Sequence, residues 1–570
     1  MTTTFGPEFL VNTTTAEGQD EPGVSVLADG RFVITWTDFS GTAGDTTDAA
    51  IRAQVFNADG SKAGAEILVN STTKGRQSDP SVTLLADGGL VIAWADLSLS
   101  ADDASGAAIR AQVFAADGSK AGAEFLVNTT TAGNQAILAI TTLSDGNVVI
   151  GWRDSSVSGG DTSGDAIRAQ IFDASGSKVG GEFLANTTTL GSQSRPEIAA
   201  LADGRFVMTW TDERATVGDT SGSAVRGQVF NADGSKAGAE FLVNTTTLGQ
   251  QNDATVAALA KGGFVVTWTD QSASVDETSG SGIRAQAYAA DGSPVGAEFL
   301  VNTSTDQSQT DPAVTGLADG GFIIAWVDES KSSGDTSGTA IRAQVFKADG
   351  SASGQEFVVN TTTLFDQKQP QLTTLADGRV LVGWRDSSAT GEDASGPAIR
   401  GQILDPRTKA VTLAGSDFND SYFGTGFADR MSGGLANDSL HGAGGNDLLR
   451  GGDGLDSFSG GGGNDRIFGG LGTDSLTGAA GADDFIFASA VEAKGDRIGD
   501  FRHGVDDINL RGFMKGGEFI GGRAFTKDDD QVRYVKATGL LQGDVNGDGK
   551  ADWSLVIANK AALSAEDFIF

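Results

Sequence analysis

Residues 8–65 read EFLVNTTTAEGQDEPGVSVLADGRFVITWTDFSGTAGDTTDAAIRAQVFNADGSKAGA, and the chain repeats this 58-residue phrase seven times. The period holds from Glu8 to Gln402 without insertion or deletion. Self-similarity at a fixed period of this length indicates a repeat architecture. Each copy carries one tryptophan, namely Trp36, Trp94, Trp152, Trp210, Trp268, Trp326 and Trp384.

Each copy contains four segments typical of short strands, separated by turn signals such as Ala-Asp-Gly. The third segment of the first copy is apolar on both faces, because Phe32 and Ile34 alternate with Val33. One sheet of 58 residues cannot cover both faces of such a strand, so neighbouring copies must do so. Four-stranded sheets stacked around an axis form a β-propeller, and the sequence predicts seven blades over residues 1–404.

The two ends of the repeat region indicate how the ring closes. The chain opens with an EFLVN segment at residues 8–12, whereas the last copy ends at Leu404 without one. The first segment can therefore complete the seventh blade. A tandem β-solenoid is the alternative, since it also stacks small sheets, but it has no use for this offset.

Four polar positions recur unchanged at intervals of 58, starting from Gln19, Asp38, Arg52 and Gln54. One interpretation is structural, because a buried Arg pairs well with a carboxylate. The other is a set of seven equal ligand sites. The loop before the fourth strand also carries one acidic residue per copy, which suggests either calcium ligands or solvated turns. These residues are Asp45, Asp103, Asp161, Asp219, Glu277, Asp335 and Asp393.

A catalytic site needs one asymmetric set of groups, and near-identical blades supply seven copies of each. The exceptions are Arg153 and Arg385, which follow the tryptophan where other copies have small or apolar residues. They are candidates for binding an anionic sugar, although exposed surface substitutions explain them equally well.

After Asp405 the period changes from 58 to nine. The rows are GSDFNDSYF, GTGFADRMS, GGLANDSLH, GAGGNDLLR, GGDGLDSFS, GGGGNDRIF, GGLGTDSLT and GAAGADDFI, which together span residues 415–486. The sixth residue of each row is aspartate, giving Asp420, Asp429, Asp438, Asp447, Asp456, Asp465, Asp474 and Asp483. The eighth residue is always apolar.

This pattern matches the G-G-x-G-x-D-x-U-x repeat and predicts a parallel β-roll over residues 405–487. Asp supplies the hard oxygen ligands that Ca²⁺ prefers, so we expect calcium at these eight aspartates. A flexible glycine linker is the alternative interpretation. The rows of Asp420 and Asp429 contain fewer glycines, which makes ion sites at that edge less secure.

Composition narrows the function classes. A net charge of −35 repels nucleic acid and anionic membranes, and favours cations as partners. The chain has no cysteine and two histidines, His441 and His503, so most catalytic groups are missing. No apolar run is long enough to span a membrane, and the first residues do not resemble an export leader.

The nonapeptide rows resemble the RTX family of secreted calcium-binding proteins, and the 58-residue repeats look like those in large secreted bacterial proteins that depend on calcium. Residues 488–570 resemble the C-terminal domain of serralysin-type proteins through GDRIGDFRHGVDDINL and GDVNGDGKADWSLVI. The resemblance implies export by a type I secretion machine that reads the last residues, Asp567, Phe568, Ile569 and Phe570. It does not imply proteolysis, because neither histidine begins an H-E-x-x-H motif.

A second calcium motif lies near the end of the chain. Asp544, Asn546, Asp548 and Asp552 fit positions 1, 3, 5 and 9 of an EF-hand-like loop. Position 12 is Leu555, so the bidentate Glu is lacking and a tight Asx turn is an equal alternative.

These observations favour a secreted, non-catalytic calcium-binding protein whose propeller is a multivalent binding or adhesion module for a glycan or matrix polymer. Two alternatives are a propeller enzyme acting on an extracellular polysaccharide and a structural component of a matrix or surface layer.

Overall fold

The computed structural model describes residues 3–42, 44, 48–100, 102, 103, 105–214, 218, 219, 221–272, 280–331, 334, 335, 337–390, 393 and 395–570. In this part of the chain, regular structure is β-strand throughout apart from a 3₁₀ turn at Ala565–Asp567. The chain divides into two compact units, residues 1–27 with 32–406 and residues 28–31 with 407–570. No helix in the described part is long and apolar enough to cross a membrane.

The first unit consists of seven four-stranded antiparallel sheets. Strand β1 spans Thr3–Leu10. Blades one and two contain β2 (Gln19–Val26), β3 (Phe32–Asp38), β4 (Ala50–Phe56), β5 (Ile67–Leu68), β6 (Gln77–Leu84), β7 (Leu90–Asp96), β8 (Ala108–Phe114) and β9 (Lys120–Leu126). Blades three and four contain β10 (Gln135–Thr142), β11 (Val148–Asp154), β12 (Ala166–Phe172), β13 (Lys178–Leu184), β14 (Gln193–Ala200), β15 (Phe206–Asp212), β16 (Ala224–Phe230) and β17 (Phe241–Leu242).

Blades five to seven repeat the pattern. Their strands are β18 (Gln251–Ala258), β19 (Phe264–Asp270), β20 (Gly282–Tyr288), β21 (Pro294–Leu300), β22 (Gln309–Gly316), β23 (Phe322–Asp328), β24 (Ala340–Phe346), β25 (Phe357–Val358), β26 (Gln367–Thr374), β27 (Val380–Asp386) and β28 (Ala398–Asp405). The first strand of each blade contacts the first strands of the two neighbouring blades, and these strands line the axis. The seventh sheet has the order β1-β28-β27-β26. The predicted seven-bladed propeller is confirmed, and the N-terminal strand completes its last blade.

The core of the propeller lies between blades. All seven repeat tryptophans are fully buried, and the third strand segment is buried on both faces, as in β3. Trp152 of blade three packs with Ala93 and Ile109 of blade two. Each blade therefore covers the face that its neighbour cannot cover alone.

Each inner strand carries a bulge two residues after its glutamine. Its register against the next strand shifts there, for example between Asp20 and Gly23. The residue at the bulge has a positive φ in every blade, an uncommon conformation for residues other than glycine. The seven residues are Glu21, Asp79, Ile137, Arg195, Asp253, Asp311 and Gln369. Because they lie on the innermost strands, they form a ring around the axis, here called the axial ring.

The second unit contains two large sheets that share alternate rows of the roll. One has the order β29-β31-β33-β35-β37-β39-β44, and the other has the order β30-β32-β34-β36-β38-β43-β42-β41-β40. The strands of the rows are β29 (Thr412–Ala414), β30 (Ser421–Phe423), β31 (Arg430–Leu435), β32 (Ser439–His441), β33 (Leu448–Gly454), β34 (Ser457–Gly462), β35 (Arg466–Gly472), β36 (Ser475–Ala480) and β37 (Asp484–Ile486). The remaining strands are β38 (Arg497–Ile498), β39 (Asp507–Asn509), β40 (Glu518–Phe519), β41 (Gln531–Val535), β42 (Leu540–Asp544), β43 (Trp553–Ile557) and β44 (Phe568–Ile569).

The apolar residue of each row points between the two sheets. Tyr422, Met431, Leu440, Leu449, Phe458, Ile467, Leu476 and Phe485 are buried in one cluster. The same cluster continues into residues 488–570 through Ile508, Val532 and Trp553. The parallel roll is therefore confirmed. Both of its sheets also run across the predicted boundary at residue 487, through the pairings β36-β38 and β37-β39.

Candidate calcium sites and the axial face of the propeller

The repeated polar residues of the blades bond to one another. In blade three, Asp154 accepts hydrogen bonds from Arg168 Nε at 2.6 Å, Gln135 Nε2 at 2.9 Å and Ser156 Oγ at 2.5 Å. The equivalent Arg–Asp distance is 2.5–2.8 Å in all seven blades. These groups are buried, as the structural interpretation expects. The geometry therefore gives no support to seven equal ligand sites at these positions.

The acidic loop residues are also internal. Oδ2 of Asp103, Asp219, Asp335 and Asp393 accepts a hydrogen bond from the side chain of the Asn that lies just beyond the outer strand, at 2.8–3.1 Å. Asp161 is 5% exposed. The expectation of solvated turns is wrong at these five positions, because each carboxylate is enclosed by its blade. Asp45 and Glu277 lie outside the described residues.

Arg153 and Arg385 lie in blades three and seven, which are not neighbours in the ring. Nη1 of Arg153 is 3.7 Å from Asp165, and Nε of Arg385 is 3.3 Å from Asp20. Each side chain is about one quarter exposed. The structure pairs each arginine with a carboxylate and does not bring the two arginines together in one site.

The aspartates of the roll form two ladders, one on each sheet. From Asp438 to Asp483, Oδ1 of each row's aspartate accepts a hydrogen bond from the backbone amide of the aspartate 18 residues earlier, at 2.7–3.0 Å. The ladders extend beyond the nonapeptides, because Asp496 accepts from the amide of Asp474 and Asp506 from that of Asp483. Sequence reasoning missed these two residues because their spacings, 22 and 23 residues, break the period.

The second carboxylate oxygen, Oδ2, is the candidate calcium ligand of each ladder aspartate. Oδ2 is buried and has no hydrogen-bond partner among the described residues in Asp438, Asp447, Asp456, Asp465, Asp474 and Asp496. In the first two rows it is already engaged, because Asp420 accepts from the amide of Ser416 and Asp429 from that of Thr425. The rows of Asp420 and Asp429 therefore lack the unpartnered oxygens found in later rows, in line with the lower glycine content of these two rows.

Glycine at the first position of each row provides the space around these oxygens. A Cβ atom on Gly451 would overlap Oδ2 of Asp456 and approach the carbonyl of Gly469. The carboxylate oxygen therefore lies beside backbone carbonyl groups, which are also hard oxygen ligands. No group of three or more His, Asp or Glu side chains in the described residues could hold a metal ion alone. Carbonyl groups must supply most of the ligands for calcium in this roll.

The electrostatics of the ladders favour binding of a cation. Burial, with the carboxylates of neighbouring rows adding to it, raises the pKa of Asp438 and Asp447 to about 7. The same causes raise the pKa of Asp465 and Asp474 to about 6 and that of Asp496 to about 7. A divalent ion would neutralise these buried charges. The donor set, the orphaned oxygens and the glycine space all fit calcium.

The EF-hand-like loop is held by its own side chains. Asp544 accepts hydrogen bonds from the amides of Gly547 and Gly549, each at 2.8 Å. Oδ2 of Asp552 accepts from the amide of Val545 at 2.7 Å, and its Oδ1 accepts from Asn546 Nδ2 at 2.8 Å. Asp548 accepts from the amide of Lys550. Described contacts thus form the Asx turns that the sequence offered as the alternative to an ion site.

The four C-terminal residues are part of the fold. Asp567 is 1% exposed and accepts hydrogen bonds from the amides of Gly504 and Ser564. Phe568 and Ile569 form β44 and pair with β39. The Phe570 ring stacks on that of Phe568, with centroids 5.7 Å apart.

Two cavities on the propeller contain residues that sequence reasoning missed. A cavity of about 270 Å³ at the axis is lined by Glu21, Asp79 and Glu197 among others. A second, of about 450 Å³, lies between blades four and five and is lined by Arg195 and Thr211 among others. The signal was present in the repeat, because the second and fourth residues after each invariant glutamine differ from copy to copy.

Comparison with known proteins bears on both units. The propeller is similar to a protein of unknown function from Dyadobacter fermentans, with 14% identity and a TM-score of 0.43 over 71% of this chain and 99% of that chain. It is also similar to an α-L-arabinofuranosidase from Fusarium graminearum (12%, TM-score 0.40, 70% and 98%) and an α-L-arabinanase from Penicillium chrysogenum (16%, TM-score 0.38, 71% and 98%). Comparison with curated proteins gives no match.

In the second unit, residues 414–449 and 450–485 match the family described as RTX calcium-binding nonapeptide repeat (4 copies). The match covers the rows whose aspartates form the two ladders. Residues 414–485 are therefore RTX repeats, and calcium is their ligand.

Proposed function

We propose that the protein is a secreted calcium-binding protein in which calcium orders the roll and the propeller serves as a binding or adhesion module for an extracellular glycan or matrix polymer. The observation that carries the proposal is the ladder of buried, unpartnered Asp oxygens. Calcium modules that work outside cells typically have affinities of about 10⁻⁴ to 10⁻³ M. Export would use a type I secretion machine, and calcium would fold the roll after export.

The positions of the residues that vary between blades support a binding role for the propeller. The invariant polar residues are enclosed within blades, whereas Glu21, Arg195 and the rest of the axial ring vary around the axis. Binding proteins commonly place varied residues on a rigid scaffold, and ligand sites are usually concave. Varied residues and the two cavities occur together on this propeller.

Calcium binding is tested by titrating the full chain calorimetrically after calcium depletion. Asp456→Asn should lower the number or affinity of bound ions, because it removes the charge of a buried ladder carboxylate. Asp453→Asn is the matched control, since Asp453 lies three residues away and is exposed. Equal titrations of D456N and the native chain would contradict the assignment.

Polymer binding is tested by passing the full chain and residues 1–406 over immobilised polysaccharides and extracellular matrix polymers, in about millimolar calcium and in chelator. Both proteins should be retained by the same polymer in both conditions, because the propeller contacts described above need no ion. Retention of neither by any polymer would overturn the binding role and favour a structural component.

An enzyme acting on an extracellular polysaccharide is a second candidate, favoured by Glu197. Its carboxyl makes no hydrogen bond or ion pair with the described residues, and burial inside the ring of inner strands raises its pKa to about 8. Glu21 and Asp79 line the same cavity, and burial together with the Glu21 carboxylate raises the pKa of Asp79 to about 7. Glycoside hydrolysis uses two carboxyl groups that flank the bond to be cleaved, and this cavity contains three carboxyl groups.

The enzyme candidate is tested by incubating polysaccharides with the full chain and measuring new reducing ends. Activity should fall at least about a hundredfold in Glu197→Gln, as expected on loss of a general acid. Glu329→Gln is the control, because Glu329 is an exposed residue of blade six that lines neither cavity. If E197Q forms reducing ends as fast as the native chain, or if neither protein forms any, the enzyme candidate is excluded.

A further inference from the structure

The cavity between blades four and five is here called the blade 4–5 pocket. Hydroxyl, amide and guanidinium groups line it, whereas the axial cavity contains three carboxyl groups. The volume of the blade 4–5 pocket is about 450 Å³, within the range of roughly 300 to 1,000 Å³ that small-molecule sites usually have. Residues of the inner and second strands and of the loop before β16 line it. The six that matter here are Ser194, Arg195, Thr211, Arg214, Ser223 and Asn252.

Three polar atoms of this pocket lack a hydrogen-bond partner within the described part of the chain. They are Oγ1 of Thr211, Oγ of Ser223 and Oδ1 of Asn252. Thr211 is 97% buried, since its exposed fraction is 3%. Buried polar groups normally find partners, so three unpartnered atoms on one pocket wall indicate that a ligand supplies them.

Blades one and three close the same position with their own side chains. In blade three, the residues equivalent to Thr211 and Ser223 are Arg153 and Asp165, which form an ion pair at 3.7 Å. In blade one, the equivalent Thr37 donates a hydrogen bond to Glu21 at 2.7 Å. Blade four has neither arrangement, because Arg195 replaces that Glu.

The charges at the pocket nearly cancel. Arg195 forms an ion pair with Asp253 of the next blade. Glu213, whose Oε1 accepts a hydrogen bond from Ser194 at 2.6 Å, offsets the charge of Arg214. The pocket therefore offers hydroxyl groups that donate and accept, a carbonyl oxygen that accepts and guanidinium groups that donate, with little net charge.

We infer that the blade 4–5 pocket binds a neutral saccharide unit. Each sugar hydroxyl both donates and accepts, so neighbouring hydroxyls of one ring can satisfy Thr211, Ser223 and Asn252 together. This inference rests on the proposed role of the propeller in glycan binding, and it assigns the neutral sugar unit to one pocket.

The test uses the full chain and four neutral trisaccharides, namely cellotriose, maltotriose, mannotriose and xylotriose, with trigalacturonate as the charged comparison. Ligand-observed NMR and calorimetry should show binding of at least one neutral sugar. Thr211→Val should weaken it by about tenfold through loss of one buried hydrogen bond. Thr269→Val is the matched control, because Thr269 is the equivalent buried and unpartnered threonine in blade five and does not line the pocket.

The decisive variant is T211R/S223D, which builds the residue pair of blade three into blade four. It should abolish trisaccharide binding while leaving the thermal unfolding temperature close to that of the native chain, since blade three folds with this pair. Binding that survives T211R/S223D, or binding of trigalacturonate alone, would overturn the inference. If polymers are retained but their retention is insensitive to this variant, the inference fails and the proposed function stands. If no polymer and no sugar binds, both fail.

Discussion

Nδ1 of His503 lies 2.9 Å from each carboxylate oxygen of Asp567, so the imidazole and this side-chain carboxylate hold two distant parts of the second unit together. The hydrogen bonds from Gly504 and Ser564 to the same carboxylate add to this contact. Of the four residues predicted to carry the export signal, Asp567 and Phe568 are buried when the unit is folded, and Ile569 and Phe570 are partly buried. A secretion machine would reach all four side chains fully in a chain that has not yet folded.

The export prediction follows from this arrangement. Deleting residues 567–570 should retain the protein in the cytoplasm of cells that carry a type I exporter, whereas deleting residues 1–4 should not. Fractionation of cells and medium measures the outcome. His503→Ala is the control, because it removes the folded-state contact and leaves the four residues in place. Appearance of the truncated chain in the medium at the native rate, without lysis, would refute the assignment.

Calcium should order the second unit and leave the first unchanged. Without the ion, neighbouring buried carboxylates repel one another, so residues 407–570 should be disordered in chelator and fold at about millimolar calcium. Circular dichroism and the fluorescence of Trp553, which is buried in this unit, report the transition. Residues 1–406 should give the same spectrum in both conditions. Unfolding of that fragment on chelation would show that the acidic blade loops hold structural calcium.

The raised pKa values of the ladder predict how the calcium-free roll responds to pH. Folding raises the pKa of Asp438 and Asp447 from an ordinary value near 4 to about 7, so the folded roll binds more protons than the unfolded chain. Its stability should be greatest below about pH 4 and should fall as the pH rises to about 7. Circular dichroism of residues 407–570 in calcium-depleted buffer at about pH 5 and pH 8 tests this, and a strand signal no larger at pH 5 than at pH 8 would contradict it.

Calcium affinity should change in the opposite direction, because the ion competes with protons for the same carboxylates. It should increase as the pH rises from about 5 to about 7.5. Calorimetry at these two values decides the question, and equal affinities would contradict it.

Breaking the polar network of one blade should be costly. Asp154→Ala removes the carboxylate that Arg168 Nε contacts at 2.6 Å and leaves Glu182, 3.3 Å from Nη1, as its remaining carboxylate partner among the described residues. Removing one partner of a buried pair costs about 3–5 kcal/mol. Asp173→Ala is the control in the same blade, because Asp173 lies in an exposed turn and bonds only local serines in the described contacts. Denaturant unfolding of residues 1–406 measures both. A loss in D154A no larger than in D173A would show that the network is not essential to stability.

Removing β1 should open the ring. Phe9 packs against Phe56 with centroids 5.2 Å apart, and Glu8 accepts hydrogen bonds from the amides of Thr361 and Thr362. Deleting residues 1–11 exposes the edge of β28, so the propeller should unfold at lower temperature and self-associate through that edge. Adding the deleted residues back as a separate peptide should reverse both effects. An unchanged unfolding temperature would exclude closure by β1.

The sequence predicted the fold well because its periodicity is strict. One tryptophan per 58 residues and one aspartate per nine residues fix the blades and the roll. The missing last EFLVN strand predicted the pairing of β1 with β28. Periodicity could not predict the burial of the acidic loop residues, because their Asn partners lie just beyond the end of the outer strand, as for Asp103 and Asn128.

The candidate sites were predictable where their residues repeat and were missed where their residues do not. Residues that repeat, such as the ladder aspartates, were identified by position alone. The residues that line the two cavities, such as Glu197 and Thr211, were missed, because no repeated pattern marks them and only the folded ring brings their neighbours together. Asp496 and Asp506 were missed because the chain leaves the nine-residue period before it reaches them, although the sheets continue.

The alternation of rows between two sheets has a consequence for how such a chain can change length during evolution. Removing nine residues would move every later row to the opposite sheet and join each aspartate to the wrong ladder. Removing or duplicating eighteen residues would leave both ladders in register, with Asp496 and Asp506 still accepting from the last row of each sheet. Rolls of this kind should therefore gain or lose residues in units of two rows, which is eighteen residues.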